Sequence, residues 1–132
     1  MNRVVHFEIH AADADKMQEF YQSVFGWDIK DLGAMMGNYR IINTGADAAG
    51  KQWPGINGGM TPRRGALPQL GQAVNAFVCT IEVANVDETL GKIATAGGTI
   101  ALDKMDVPGV GTLAYILDPE NNIFGILQPI AS

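Results

Sequence analysis

Three side chains near the start of the chain can do chemistry together. His6, Glu8 and His10 sit at alternate positions in Arg3-Val4-Val5-His6-Phe7-Glu8-Ile9-His10. If this stretch is a strand, all three point to one face, ~6.6 Å apart along it. Two imidazoles and a carboxylate on one face suit a non-standard metal site completed by a neighbouring strand, or a polar pocket wall that binds an organic molecule. Glu82 and Thr80 stand 72 residues beyond His10 and Glu8. Two carboxylates facing each other in a partly apolar cleft repel, which would raise the pKa of one and let it act as an acid. A solvated Glu82 near its strand end is the plainer expectation.

The elements that position these groups come twice. Phe7-Glu8-Ile9-His10, Asp13, Asp15 and Phe25-Gly26 are matched by Cys79-Thr80-Ile81-Glu82, Asn85, Asp87 and Gly97-Gly98. The ends, Ile56-Asn57-Gly58-Gly59-Met60-Thr61-Pro62 and Ile123-Phe124-Gly125-Ile126-Leu127-Gln128-Pro129, match at a spacing of 67, or of 66 if Gly59 pairs with Gly125. A duplicated unit of about 60 residues follows.

Each unit reads βαβββ. In the first, alternation predicts a strand over Val4–His10. Asp13 is an N-cap, and Met17, Phe20, Tyr21 and Val24 form one apolar helical stripe that ends at Gly26. Strands follow at Trp27–Lys30, Tyr39–Asn43 and Ile56–Thr61. In the second, Val74–Val83 is a strand. Asn85 with Glu88 forms a capping box before the stripe Val86, Leu90, Ile93, and Gly97-Gly98 stops the helix. Strands follow at Thr99–Leu102, Thr112–Leu117 and Ile123–Gln128. The expected domain is residues 1–132, with units 1–62 and 74–132 and a linker at 63–73. The fold class is α+β, the two units curling into a cup whose polar lining carries function.

Composition narrows the function classes. With 132 residues, 47% hydrophobic and 17% charged, the chain builds an ordinary core without staples. Its single cysteine, Cys79, excludes a disulfide framework and a Cys-rich zinc module, and is expected to face away from the cup. The net charge of −5 argues against nucleic acid and anionic membranes. No apolar run is long enough for a membrane span and no signal peptide is read, so a cytoplasmic protein is expected.

His6-Phe7-Glu8-Ile9, Asp13, Phe20-Tyr21, Phe25-Gly26-Trp27, Val86-Asp87-Glu88, Ala96-Gly97-Gly98, Val107-Pro108-Gly109-Val110-Gly111, Asp118-Pro119 and Ile123-Phe124-Gly125 follow one another in a recognisable order. These ordered motifs resemble the vicinal oxygen chelate superfamily of glyoxalase I, bleomycin-resistance proteins and extradiol dioxygenases. Together they are similar to the branch of predicted enzymes related to lactoylglutathione lyase. The resemblance implies a homodimer and a divalent metal held by four side chains, typically His or Gln, Glu, His and Glu. The first of those positions falls on His6, the second on Gly58 or Gly59, the third on Val78 and the fourth on Gly125. A register slip would bring Asn57 to the second. Only His6 retains a metal-binding side chain, so no metal, no cofactor and no glyoxalase I activity are expected.

Valine and glycine at these positions are expected to leave a roomier, more apolar cup. The expected function is metal-free binding of a small apolar or aromatic molecule. Its lining is expected to be His6, Glu8, His10, Trp53, Met60, Val78, Thr80, Glu82, Tyr115 and Gly125. The alternative is a lyase or isomerase working on a carbonyl substrate through His6 or Glu8, or through a non-standard metal.

Overall fold

A computed structural model describes residues 1–45, 55–69, 72–73, 77–117 and 122–131. The expected ligand residue Trp53 lies outside them. The chain divides into two compact units, His6–Phe77, and Met1–Val5 together with Val78–Ser132.

In the first unit, β1 (Arg3–Ala11) leads to α1 (Ala14–Phe25), β2 (Asp28–Asp31), a 3-10 turn at Ala34–Met36, β3 (Arg40–Asn43) and β4 (Asn57–Pro62). The strand order is β2-β3-β4-β1. The pairs β2/β3 and β3/β4 are antiparallel, whereas β4 runs parallel to β1, as the intervening helix requires. α1 begins where the Asp13 carboxylate accepts the Lys16 N–H. It ends at Gly26, whose φ of 70° is left-handed. That reversal lays Trp27 flat on Tyr21, ring centres 5.2 Å apart and planes 3° apart.

The helix stripe differs from the expected one. No α1 residue is fully buried, and Phe20 and Val24 are more than half exposed. The half-buried residues are Ala14, Met17, Gln18, Tyr21 and Gln22. The cause is Arg40, which shares the helix-facing side of the sheet with Met60, its cross-strand partner. Its guanidinium donates to Gln18 Oε1 at 2.6 Å and to Asp15 Oδ1 at 2.8 Å, and lies 3.6 Å from Asp31. Polar residues of α1 therefore turn inward. The buried residues of this unit include Phe7, Ile9, Ala11, Ile29, Ile42 and Met60.

The second unit repeats the plan. β5 (Val78–Glu82), α2 (Val86–Thr95), β6 (Thr99–Val107), β7 (Gly111–Leu117) and β8 (Ile123–Pro129) follow in order. The strands lie as β5-β8-β7-β6, with β5 parallel to β8 and the others antiparallel. Asn85 caps α2 through the Glu88 N–H. Val83, Val86, Ala114, Ile116 and Ile126 form the core, and Leu90, Ile93 and Phe124 pack on it, as the periodicity predicts. β6 runs five residues beyond its expected end at Leu102. It crosses Asp103 and Lys104 with its register shifting on either side of Leu102, and its exposed edge tolerates those charges.

Candidate functional site

Strand pairing places the polar side chains of the first unit on one face. His6, Glu8 and His10 stand opposite Asn57, Gly59 and Thr61. Gly59 in turn stands opposite Ile41. Phe7, Ile9 and Met60 occupy the other face. Met60 is 1% exposed and pairs with Ile9, so it belongs to the core under α1 and not to a ligand-facing wall. Its expected place in the lining does not hold on this face, because Met60 alternates with Gly59 and Thr61.

The residue that organises this face is Tyr39, which precedes β3 by one position. A compact turn delivers it. Asp31 Oδ1 accepts the Gly33 N–H at 2.8 Å, and the Gly33 carbonyl accepts from Met36 and Asn38. Gly37 and Asn38 both adopt left-handed φ, 67° and 59°, which turns the chain sharply into Tyr39. The Leu32 N–H then donates to the Tyr39 carbonyl.

The Tyr39 hydroxyl lies 2.9 Å from His6 Nε2 and donates to Glu8 Oε2 at 3.2 Å. With the hydroxyl proton given to the carboxylate, a His6 ring protonated on Nε2 completes the contact by donating to the phenol oxygen. Burial lowers the His6 pKa from its ordinary 6.5, and the charge on Glu8 opposes that shift. A neutral imidazole protonated on Nε2 satisfies both facts. His6 to Tyr39 to Glu8 is thus a directed hydrogen-bond chain.

Gly59 makes room for it. A Cβ on Gly59 would have the Tyr39 hydroxyl, Cζ and Cε1 all within 3.0 Å, closer than real side chains approach. Glycine here opens no extra volume, contrary to the roomier cup expected, because the tyrosine ring fills the space. Gly125 behaves similarly. Its virtual Cβ would meet Thr80 Oγ1 at 2.8 Å and Tyr115 Cε1 at 3.4 Å. The pairing also resolves the repeat spacing. Gly59 pairs with Glu8 and Gly125 with Thr80, so the spacing is 66 and the second position is Gly59.

The remaining candidates are placed as follows. Thr80 is buried, Val78 is buried, and Glu82 and Tyr115 are half-buried. Thr80 and Glu82 share a face of β5, and Tyr115 and Gly125 are cross-strand partners. Cys79 alternates with Val78 and Thr80 on β5 and so points to the opposite face, as expected. Asn57 Oδ1 accepts from both the Thr44 N–H and hydroxyl, at 2.9 and 3.1 Å. Arg63, placed in the linker, donates instead to the His10 carbonyl at 2.9 Å. Sequence reasoning missed Tyr39. The usable signal was the alternation of Tyr39 with Ile41, which puts a ring diagonally across from a glycine.

A chelated metal does not fit these residues. Of the four positions, Gly59, Val78 and Gly125 offer no donor, and the His6 nitrogen is engaged by a phenol. Among the described residues no group of three or more His, Cys, Asp or Glu side chains converges to hold an ion. No helix among them is long and apolar enough to cross a membrane.

Comparison with known proteins agrees with this architecture. Residues 3–45 match the bleomycin resistance protein-like N-terminal family. The chain is 32% identical over 111 residues to "Putative glyoxylase CFP32" of Mycobacterium bovis and of Mycobacterium tuberculosis, covering 83% of this chain but only 38% of those proteins. Among solved structures, a Streptomyces coelicolor methylmalonyl-CoA epimerase in complex with 2-nitronate-propionyl-CoA superposes with a TM-score of 0.67 at 17% identity, over 99% of both chains. A glyoxalase/bleomycin resistance protein/dioxygenase superfamily member from Vibrio splendidus superposes with a TM-score of 0.60 at 14% identity, over 97% of this chain and 99% of that one. With its duplicated βαβββ units and this set of relatives, the chain belongs to the vicinal oxygen chelate superfamily, the glyoxalase/bleomycin resistance/dioxygenase group.

Proposed function

We propose that this chain is a glyoxalase-like protein that binds a small organic molecule without a metal, on the face of β1, β3 and β4 centred on Tyr39. The observation that carries this reading is the Tyr39 hydroxyl joining His6 Nε2 to Glu8 Oε2. It turns the one retained position of the metal site into a hydrogen-bonding group. A neutral imidazole, a phenol and the apolar Ile41 suit an uncharged or aromatic ligand with one or two polar atoms. A homodimer remains part of the proposal, on the superfamily resemblance.

The second reading is a lyase or isomerase acting on a carbonyl compound by acid–base chemistry. The same hydrogen-bond chain favours it, because a carboxylate and an imidazole linked through a phenol can move protons without a cation. Similarity to methylmalonyl-CoA epimerases supports the fold of this reading and not its substrate.

A thermal-shift panel of uncharged aromatic and carbonyl compounds separates the two, with NMR of each hit for turnover. A hit that stabilises wild type, is not converted, and loses its effect in Tyr39→Ala supports the binding reading. Conversion that Glu8→Gln abolishes while the fold persists supports the enzyme. Hits unaffected by Tyr39→Ala and by Glu8→Gln contradict both.

A further inference from the structure

His6, Glu8 and position 59 belong to two neighbouring strands of one unit and converge on a single point. Glu8 and Gly59 are direct partners, and His6 is one alternation away. That point is held by an oxygen, the Tyr39 hydroxyl, 2.9 Å from the imidazole nitrogen and 3.2 Å from the carboxylate. A nitrogen and a carboxylate oxygen around one centre is a cation's first requirement. Here the centre is occupied by a hydroxyl group, which donates to the carboxylate. Any side chain at position 59 and the present place of Tyr39 exclude each other.

We propose that Tyr39 is the specificity-determining residue of this site: it stands where a divalent cation would be bound by His6 and Glu8, keeps the cation out, and presents an O–H in its place. The ligand class follows, resting on the function proposed above: a neutral molecule whose oxygen or nitrogen joins the His6–Tyr39–Glu8 chain, and not a chelating diol or dione that needs a metal. Two substitutions would then undo the exchange. Tyr39→Ala vacates the centre, and Gly59→Glu adds the third donor that a zinc site requires. The backbone at Gly59 is outside the left-handed region, and the three atoms nearest a Cβ there all belong to the Tyr39 side chain, which the first substitution removes.

The test is a calorimetric titration of zinc ion into the untagged full chain, with the His6 ring signals followed by NMR. Wild type should show no stoichiometric zinc on His6. Tyr39→Ala/Gly59→Glu should bind one zinc per chain, ~100-fold tighter or more, and lose it again with His6→Ala. Stoichiometric zinc on His6 in wild type overturns the proposal, as does a folded double variant that binds no tighter than wild type. If circular dichroism shows the double variant unfolded, Tyr39→Ala alone decides. Removing the phenol from between His6 and Glu8 should raise zinc affinity ~10-fold, and unchanged affinity overturns the proposal. No organic ligand enters this titration, so a failed ligand panel leaves it standing, and the reverse also holds.

Discussion

Tyr39 occupies the volume that a side chain on Gly59 would need. The two residues are therefore energetically coupled. The atoms in the way are the far end of the tyrosine ring, so Gly59→Ala should expel the ring and leave the fold standing. The loss of its hydrogen bonds to His6 and Glu8 should cost about 1–3 kcal/mol. In a Tyr39→Ala background the same change should be nearly neutral. A double-mutant cycle by urea denaturation should return a coupling of ~1 kcal/mol or more, and additive effects would contradict the packing described.

The neighbouring glycine predicts a contrasting result. A Cβ on Gly58 would lie 2.5 Å from the Phe7 carbonyl oxygen and 2.7 Å from its ring. Backbone cannot swing aside, so Gly58→Ala should destabilise by more than Gly59→Ala, on the order of 3 kcal/mol or more. Tyr39→Ala should not rescue it. Equal costs at the two glycines would contradict the assignment of their faces.

The His6 environment predicts a pH dependence with a definite sign. Burial lowers its folded pKa below the 6.5 of the unfolded chain. As pH falls below 6.5, the unfolded state takes up a proton before the folded state does. Stability is therefore full above that pH and falls as pH drops through it toward the folded value. His10, Glu8 and Tyr39, which share the face with His6, are present in both wild type and His6→Gln. Wild type should lose more stability than His6→Gln between about pH 7.5 and about pH 5.5. Glu8→Gln, which removes the opposing charge, should move the His6 titration seen by NMR to still lower pH.

Arg40 predicts a stability effect on the opposite face of the sheet from the site. Its side chain is 12% exposed and ties β3 to α1 through Gln18 and Asp15, while Asp15 itself is 91% exposed. Arg40→Ala should cost about 2 kcal/mol, because packing and a charged hydrogen bond are lost together. Asp15→Ala should cost less than about 1 kcal/mol, since solvent screens the pair. Thermal unfolding of both variants checks the ranking.

These effects separate what could be read from the sequence and what could not. The caps Asp13 and Asn85, the stop at Gly26 and the stripe of α2 depend on local chemistry and were legible. So was the shared face of His6, Glu8 and His10, because alternation is a property of one strand. What was hidden depended on pairing between strands. Met60 was assigned to the wrong face because the β1/β4 register cannot be read from either strand alone. The α1 stripe rotated because Arg40 lies 15 residues beyond the helix end and demands polar partners. Tyr39 was missed for the same reason, and the empty space expected at Gly59 was its counterpart.

The most direct measurement is the metal content of the protein purified without an affinity tag, taken together with the crystal environment of Tyr39. A phenol joined to His6 and Glu8 predicts metal far below one ion per chain, with the hydroxyl between them. One nickel, zinc or iron per chain, bound to His6 with Tyr39 turned away, would contradict it.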